Sequence, residues 1–159
     1  MKKRITIELK ADRLVFDVME ETYLKGRTVG LGGNHREAAN VYATMDPDEK
    51  AKISRSIKTA YGELKTELAE YINTEDKEAD NDAYDAETDL TLALDMPANF
   101  NEAATEGLAA SCHRFIVNKT VAEWYAIVNP GEMKTYYQLA AESMMAVRDA
   151  ACRRERPGR

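Results

Sequence analysis

Two segments of the chain alternate apolar and polar residues at every step, which is the pattern of a strand with one buried face. In the first, residues 3–10, the side chains of Ile5, Ile7 and Leu9 share one side. In the second, residues 89–96, three leucines and a methionine do the same. Each segment predicts a strand, and each is the expected partner of the other. Because two strands alone are only marginally stable, we expect the pair to lie on helices or to extend across a subunit boundary.

A helix is predicted directly after the first strand. Asp12 is a suitable N-cap residue, and apolar residues recur at helical spacing as far as about Lys25. Gly26 is expected to end this helix, because glycine is common just beyond a helix C-terminus. Three further glycines make residues 27–33 a predicted mobile loop. A short helix is expected over residues 34–45.

The clearest helix start is the run Asp46–Glu49, which combines a capping residue, a proline at the first helical position and an acid. Apolar residues then recur at steps of three and four, which predicts a helix with one buried face as far as Tyr71 or Ile72. Gly62 interrupts it and indicates a close helix contact or a slight bend, since glycine costs about 1 kcal/mol relative to alanine. The apolar stripe consists of Ile53, Ile57, Tyr61, Leu64 and Leu68.

Two long helices are predicted in the C-terminal half. The first begins after Asn99 or Asn101 and reaches Val128, and it contains the single tryptophan. The run Asn129–Glu132 repeats the device of a cap residue followed by proline, so a last helix is expected from there to Ala151. Three long amphipathic helices with short connections predict an antiparallel bundle.

The predicted fold class is therefore mainly α, an antiparallel helical bundle with a small two-stranded β element, at about 3–10 and 89–96, and an acidic loop. A chain of 159 residues fits one domain. We expect this domain to span residues 1–152, with the acidic loop at 74–89, and residues 153–159 to form a basic C-terminal tail.

Charge is distributed unevenly along the chain. The formal net charge is −6, and the acidic loop contains eight carboxylates against the single Lys77. We expect this loop to be solvated and to face a channel or an interface, where its charge repels other polyanions. Its acids are Glu75, Asp76, Glu78, Asp80, Asp82, Asp85, Glu87 and Asp89.

The C-terminal tail has the opposite charge. Proline and glycine prevent the last helix from continuing, so the tail is expected to project as an extended strip. It is either a disordered solubilising tail or a segment that docks on an acidic or phosphate-bearing partner. The net negative charge of the chain argues against a large duplex-binding face. The predicted docking residues are Arg153, Arg154, Arg156, Pro157 and Arg159.

The sequence contains no constellation that predicts catalysis, a cofactor or a metal, and no enzyme is expected. The glycines at 30–33 lack the Gly-Lys-Ser/Thr ending of a phosphate-binding loop, and His35 replaces the third glycine of a dinucleotide fingerprint. Cys112 and His113 are neighbours that point about 100° apart on a helix, so they are expected to be a core thiol and a surface histidine. The acidic loop lacks the glycine and the final acid of an EF-hand, which leaves at most a weak nonspecific cation site.

Cysteine usage and hydropathy favour a soluble cytosolic chain. Two cysteines are too few for a disulfide framework. The basic start, residues 2–4, is followed by alternating rather than continuous apolar residues, so no signal peptide is expected. No window approaches the roughly 20 apolar residues that span a membrane, so no membrane association is expected.

Several stretches together resemble a family of small proteins from tailed phages and prophages of gut Bacteroidales. They are residues 5–10 (ITIELK), 22–27 (TYLKGR), 94–101 (LDMPANFN) and 113–125 (HRFIVNKTVAEWY), together with the arginine-proline ending. The likeness covers nearly the whole chain. Such proteins occur among virion structural and assembly genes, so the resemblance implies a non-enzymatic part in the particle, assembled in the cytoplasm of the bacterial host.

Within a virion, the architecture is similar to head-to-tail adaptors, which are helical subunits that form a ring under the portal. That similarity implies a homo-oligomer ring whose last helix and basic tail dock on the portal and contact other neck or tail proteins. DNA would pass without sequence-specific binding. The chain departs from adaptors in its acidic insertion and N-terminal strand. A tail-completion protein is therefore an alternative, and so is a small acidic regulatory protein that binds a host factor.

Overall fold

The computed structural model of the chain describes residues 1–31, 46–73, 81 and 88–158, with only the backbone for residues 25–31. It is mainly helical with a two-stranded antiparallel sheet, which confirms the predicted fold class. A short 3-10 helix, Glu102–Ala104, precedes the third α-helix. The elements in chain order are β1 (Lys3–Leu9), α1 (Ala11–Leu31), α2 (Pro47–Glu67), β2 (Leu90–Met96), α3 (Thr105–Val128) and α4 (Pro130–Ala151).

The helix α3 occupies the centre of the molecule. It packs against α4, α2, α1 and β1. Its side chains are therefore buried around most of the helix circumference, including the consecutive run 115–118, rather than along one stripe. Leu14 and Val18 of α1 and the apolar stripe of α2 close over the same core, together with the inward side of β2.

The sheet pairs β1 with β2 along the full length of both strands, from Lys3 opposite Met96 to Leu9 opposite Leu90. The far edge of β2 is also occupied. The Asn73 N–H donates to the Ala93 carbonyl at 3.1 Å, and the Asp95 N–H donates to the Tyr71 carbonyl at 2.7 Å. Residues 71–73 thus pair with the far edge of β2 as a short extended segment, in which Ile72 lies opposite Leu94 in an antiparallel bridge.

The helix α2 begins as predicted and ends earlier than predicted. Asp46 accepts a hydrogen bond from the Asp48 N–H at 3.0 Å, and Pro47 is the first helical residue. The expectation that the helix reaches Tyr71 or Ile72 is wrong, because α2 ends at Glu67. After α2 the N–H groups of Tyr71 and Ile72 both donate to the Leu68 carbonyl, at 2.9 and 3.1 Å. The sheet edge then supplies the partners of the Tyr71 carbonyl and the Asn73 N–H, so the chain leaves the helix for the sheet.

The predictions for α1 were wrong at both ends. The helix begins at Ala11, and the acceptor for the Ala11 N–H is Asp89 Oδ1 at 2.9 Å. Asp12 lies in the first turn, where its carboxylate accepts a hydrogen bond from the Arg13 N–H at 2.9 Å. The helix continues through Gly26 to Leu31, so part of the predicted loop 27–33 is helical. Glycine lowers helix stability without preventing helix formation. The predicted helix at 34–45 lies outside the described residues.

The cap predictions in the C-terminal half hold in part. Asn101 caps the 3-10 helix, with its side-chain oxygen accepting from the Ala103 N–H at 3.1 Å. The last helix begins at Pro130 as predicted, but the side chain of Asn129 makes no capping hydrogen bond. The fixed backbone angle of proline is sufficient to start the helix there.

Gly62 does not mark a close helix contact. A Cβ added to Gly62 would meet no atom within 4 Å. The residue lies at the surface of a groove between α2, α3 and α4, so the expected close approach at this glycine is wrong.

Asp89 should contribute more to stability than Asp12. We expect Asp89→Ala to lower the thermal midpoint by a few degrees and Asp12→Ala to lower it less, because only Asp89 caps α1 and also pairs with Lys10, at 3.2 Å. Thermal unfolding followed by circular dichroism measures both. An equal effect of the two substitutions would contradict the cap assignment.

The effect of Asp89 should also depend on pH. The Ala11 N–H and then Lys10 hold the pKa of the Asp89 carboxyl below its ordinary value. A lowered folded-state pKa stabilises the fold above the unfolded carboxyl pKa of about 3.9, and that contribution is lost as pH falls through the folded pKa. The difference between the unsubstituted chain and Asp89→Asn should therefore be full near neutral pH and vanish in acid.

Gly62→Ala should stabilise the protein. Alanine at a helix interior position is favoured over glycine by about 1 kcal/mol, and the space for its Cβ is open. Chemical denaturation gives the free energy of unfolding. Gly107→Ala is the matched control, since Gly107 also has open space but lies in the first turn of α3, where the gain should be smaller. A loss of stability in Gly62→Ala would contradict the described packing.

Candidate docking site at the C-terminus

The chain after α4 turns back and runs antiparallel to the segment before α3. The Asn101 N–H donates to the Arg153 carbonyl at 3.1 Å, and the Glu155 N–H donates to the Asn99 carbonyl at 2.8 Å. Arg154 is thereby bridged to Phe100, whose side chain is fully buried. Residues 153–155 are thus held on the body of the protein by the same pairing that joins strands in a sheet. We call residues 99–101 and 153–155 together the C-terminal anchor.

Lys3 ties the C-terminal anchor to the sheet. Its ammonium donates to the Phe100 carbonyl at 2.9 Å, contacts Glu102 at 3.4 Å and forms an ion pair with Glu155. The hydrogen bond to Glu155 is the main reason that the pKa of Lys3 lies above its ordinary value. Three distant parts of the chain, namely β1, the turn before α3 and the C-terminus, therefore meet at one side chain.

The arginines of the tail have different roles in the structure. The guanidinium of Arg154 donates to the Ala151 carbonyl at 2.9 Å and to the Arg153 carbonyl at 3.2 Å, so it satisfies the last turn of α4. The side chains of Arg153 and Arg156 are exposed, as is Pro157, and Arg159 lies outside the described residues. Backbone pairing with the body continues as far as Glu155, whereas the sequence pattern predicted a projecting tail from Arg153 onward.

Only one acid of the predicted acidic loop is described in the structure. The Asp89 carboxylate makes contacts within the fold of this chain, since it joins the end of β1 to the start of α1. The other seven, from Glu75 to Glu87, lie outside the described residues. Their predicted exposure to a channel or an interface stays a prediction.

A surface cleft of about 550 Å³ between α1, α3 and α4 contains an unpredicted pair. His113 Nε2 lies 2.5 Å from Asp17 Oδ2, with both side chains partly exposed. Next to it, the Tyr136 hydroxyl donates to Glu21 Oε2 at 2.9 Å. The sequence predicted a surface histidine at position 113 but did not identify this partner, because Asp17 is 96 positions away and nothing in the sequence links the two residues.

A carboxylate that orients an imidazole is half of a catalytic arrangement, and the other half is a nucleophile within reach. The described lining of this cleft contributes acids, His113, Arg114, an asparagine and apolar side chains, with no hydroxyl, thiol or amine. Cys112 is fully buried, and burial raises the pKa of its thiol to about 12. The prediction of a core thiol at Cys112 is confirmed. Among the described residues, no group of three His, Cys, Asp or Glu side chains is placed to hold a metal ion.

A second, wider groove of about 910 Å³ runs between α2, α3 and α4. Ion pairs cross it: Lys119 with Glu63 at 3.5 Å, and Arg148 with Glu67 through two nitrogens. The paired guanidinium of Arg148 holds the pKa of Glu67 below its ordinary value. Met145 is exposed at its margin. These pairs join α2 to α3 and α4 across the groove.

Comparison of the chain with protein-family models, with curated proteins and with solved structures finds no match. In the described part of the chain, no helix combines the length and the hydropathy that crossing a bilayer requires. The described residues define a helical-bundle protein with a small sheet, in which the chain after α4 pairs with the segment before α3.

Lys3→Ala should loosen the C-terminal anchor. Without the ammonium, Glu155 and the Phe100 carbonyl lose a shared partner, so the amides of Asn101 and Glu155 should exchange faster with solvent. Hydrogen exchange measured by mass spectrometry reports both segments. Lys2→Ala is the matched control, because Lys2 has the same charge and is exposed. Equal exchange in the two variants would show that Lys3 does not hold the C-terminal anchor.

Proposed function

We propose that this protein is a non-enzymatic assembly subunit of the virion neck, a head-to-tail adaptor whose C-terminal extension docks on the portal. Copies of the chain form a ring, and the ring contacts the portal and other neck or tail proteins. DNA passes without sequence-specific binding, and the subunit needs no cofactor. The resemblance to proteins of Bacteroidales phages and prophages is the reason for placing the protein in a virion that is assembled in the host cytoplasm.

The observation that supports this proposal most directly is the C-terminal anchor. A tail that docks on a partner needs a defined exit point, because a freely moving base increases the entropy lost on binding. Pairing of residues 153–155 with 99–101 provides that point, and the ion pair of Lys3 with Glu155 strengthens it. The residues beyond it, 156–158, are exposed.

The chemistry of the extension favours a partner surface that is acidic. Arg156 and Arg159 are positive, and Pro157 restricts the backbone between them. Arginine forms paired hydrogen bonds with carboxylates, so an acidic pocket of a portal subunit suits it. Inside one subunit the exposed Arg156 is available for such a contact.

The test compares two shortened chains. A chain that ends at Glu155 keeps the C-terminal anchor, and we expect it to keep the thermal midpoint of the full chain while it binds a purified portal ring at least about tenfold more weakly. A chain that ends at Cys152 loses the C-terminal anchor as well, so its thermal midpoint should fall. Binding to the portal ring is measured by co-sedimentation, and the complex is imaged by electron microscopy for a ring of subunits.

A charge reversal separates docking from length. Arg156→Glu should weaken portal binding, whereas Arg13→Glu, which makes the same change at an exposed position of α1, should not. Portal binding that is unchanged in both Arg156→Glu and the chain ending at Glu155 would overturn the docking role. If the full-length chain fails to bind the portal ring at all, the adaptor assignment itself is wrong.

A further inference from the structure

Among the described residues, the sheet has an open edge along β1. On β2, the carbonyl of Ala93 and the N–H of Asp95 bond to residues 71–73. In an antiparallel sheet, alternate residues direct their backbone groups to opposite sides. The backbone groups of Leu92 and Leu94 therefore face β1.

The register then decides which groups of β1 face outward. Leu94 is opposite Ile5 and Leu92 is opposite Ile7, so those two residues of β1 bond to β2. The backbone N–H and carbonyl groups of Arg4, Thr6 and Glu8 are directed away from the sheet. Within the described part of the chain, none of these three residues has a backbone partner on that side. Their side chains are exposed as well.

The charges on this edge are self-complementary. Arg4 and Glu8 lie two positions to either side of Thr6. If a second β1 lies antiparallel to the first with Thr6 opposite Thr6, then Arg4 of one copy is opposite Glu8 of the other, at both ends. Opposite charges directly across a strand pair are favourable. At each of these opposed positions the outward backbone groups of the two copies face each other, so each pair of residues exchanges two backbone hydrogen bonds.

We propose that β1 is a self-association edge, at which two copies of this chain pair antiparallel about Thr6 and form one continuous four-stranded sheet. The charge pattern extends beyond the new contact. Arg4 already pairs with Asp95 of β2 at 3.1 Å, so the solvent face of the joined sheet would alternate in sign from Asp95 to Arg4 to Glu8 of the second copy.

The side chains on the core-facing side of the joined sheet are also compatible with this register. With Thr6 opposite Thr6, Ile5 of one copy is opposite Ile7 of the other. Ile5 is only partly buried in the subunit, whereas Ile7 is buried. Pairing would therefore cover apolar surface of Ile5 that remains exposed in the single subunit, next to an apolar residue rather than a charge.

This inference goes beyond the proposed function and does not rest on it. A pair related by a two-fold axis uses the same patch on both copies and closes on itself, so it cannot by itself extend into a ring. The β1 edge is also a different surface from the extension beyond Glu155. The pair would be the state of the free subunit, and the portal contact would use other residues.

The first experiment blocks the edge at its centre. Thr6→Pro removes an outward N–H without removing a bond inside the subunit, and proline is tolerated where the N–H of an edge strand faces solvent. We expect the unsubstituted chain to have the mass of a dimer by light scattering and Thr6→Pro to dissociate at concentrations at least roughly tenfold higher. Thr6→Val is the matched control, since it keeps the N–H and the strand preference, and it should remain a dimer.

The second experiment tests the register through charge. Arg4→Glu alone and Glu8→Arg alone each place like charges opposite each other and should weaken the dimer. The double variant Arg4→Glu with Glu8→Arg restores opposite charges and should recover it. Within one strand the two side chains are about 13 Å apart, so recovery requires a contact between copies. Circular dichroism of every variant checks that the subunit remains folded.

The outcomes separate clearly. A dimer that Thr6→Pro weakens and the double charge variant restores supports the proposal. A chain that is monomeric at hundreds of micromolar overturns it, and so does a dimer that a folded Thr6→Pro variant leaves unchanged. If Thr6→Pro does not fold, the charge series decides, and failure of the double variant to recover the dimer overturns the proposed register. None of these measurements involves the portal, so their result is independent of the docking role.

Discussion

The burial of α3 is the constraint on which the rest of this structure depends. Its side chains are apolar or small around most of the circumference, so water must be excluded from several sides at once. α1, α2, α4 and the sheet each cover one of those sides. A helix with such a surface can be stable in water only as the centre of a bundle, and the amphipathic patterns of the other helices are the complement that it requires.

The ends of the elements are held by residues far away in sequence. Asp89 caps α1, residues 71–73 complete the edge of β2, and residues 99–101 bind the chain after α4. Each contact satisfies backbone groups that would otherwise need water, and each joins segments that the core alone does not align. Lys3 then links β1 to the C-terminal anchor. Lys3 near the start of the chain and Glu155 near its end are consequently neighbours in space.

This arrangement brings the two proposed contact surfaces close together. The anchored C-terminus presents a short basic extension from a fixed base, which suits an acidic partner. The outer edge of β1 presents unsatisfied backbone groups in the described structure, which suits another strand. The first proposed surface would bind through charge and the second through backbone hydrogen bonds, so we expect them to select different partners. Lys3 lies between the two surfaces without being part of either, because it begins β1 and also bonds to Phe100 and Glu155.

The residue pattern by itself determined both strands, the starts of α2 and α4 and the helical core, because periodicity and proline act over a few neighbouring residues. It also determined the buried thiol of Cys112. Only the tertiary structure decided that Asp89 rather than Asp12 caps α1, that His113 pairs with Asp17, and that the tail is anchored through Glu155. Those contacts join residues separated by tens of positions. These contacts form only after the core has brought the segments together, so a pattern of neighbouring residues cannot predict them.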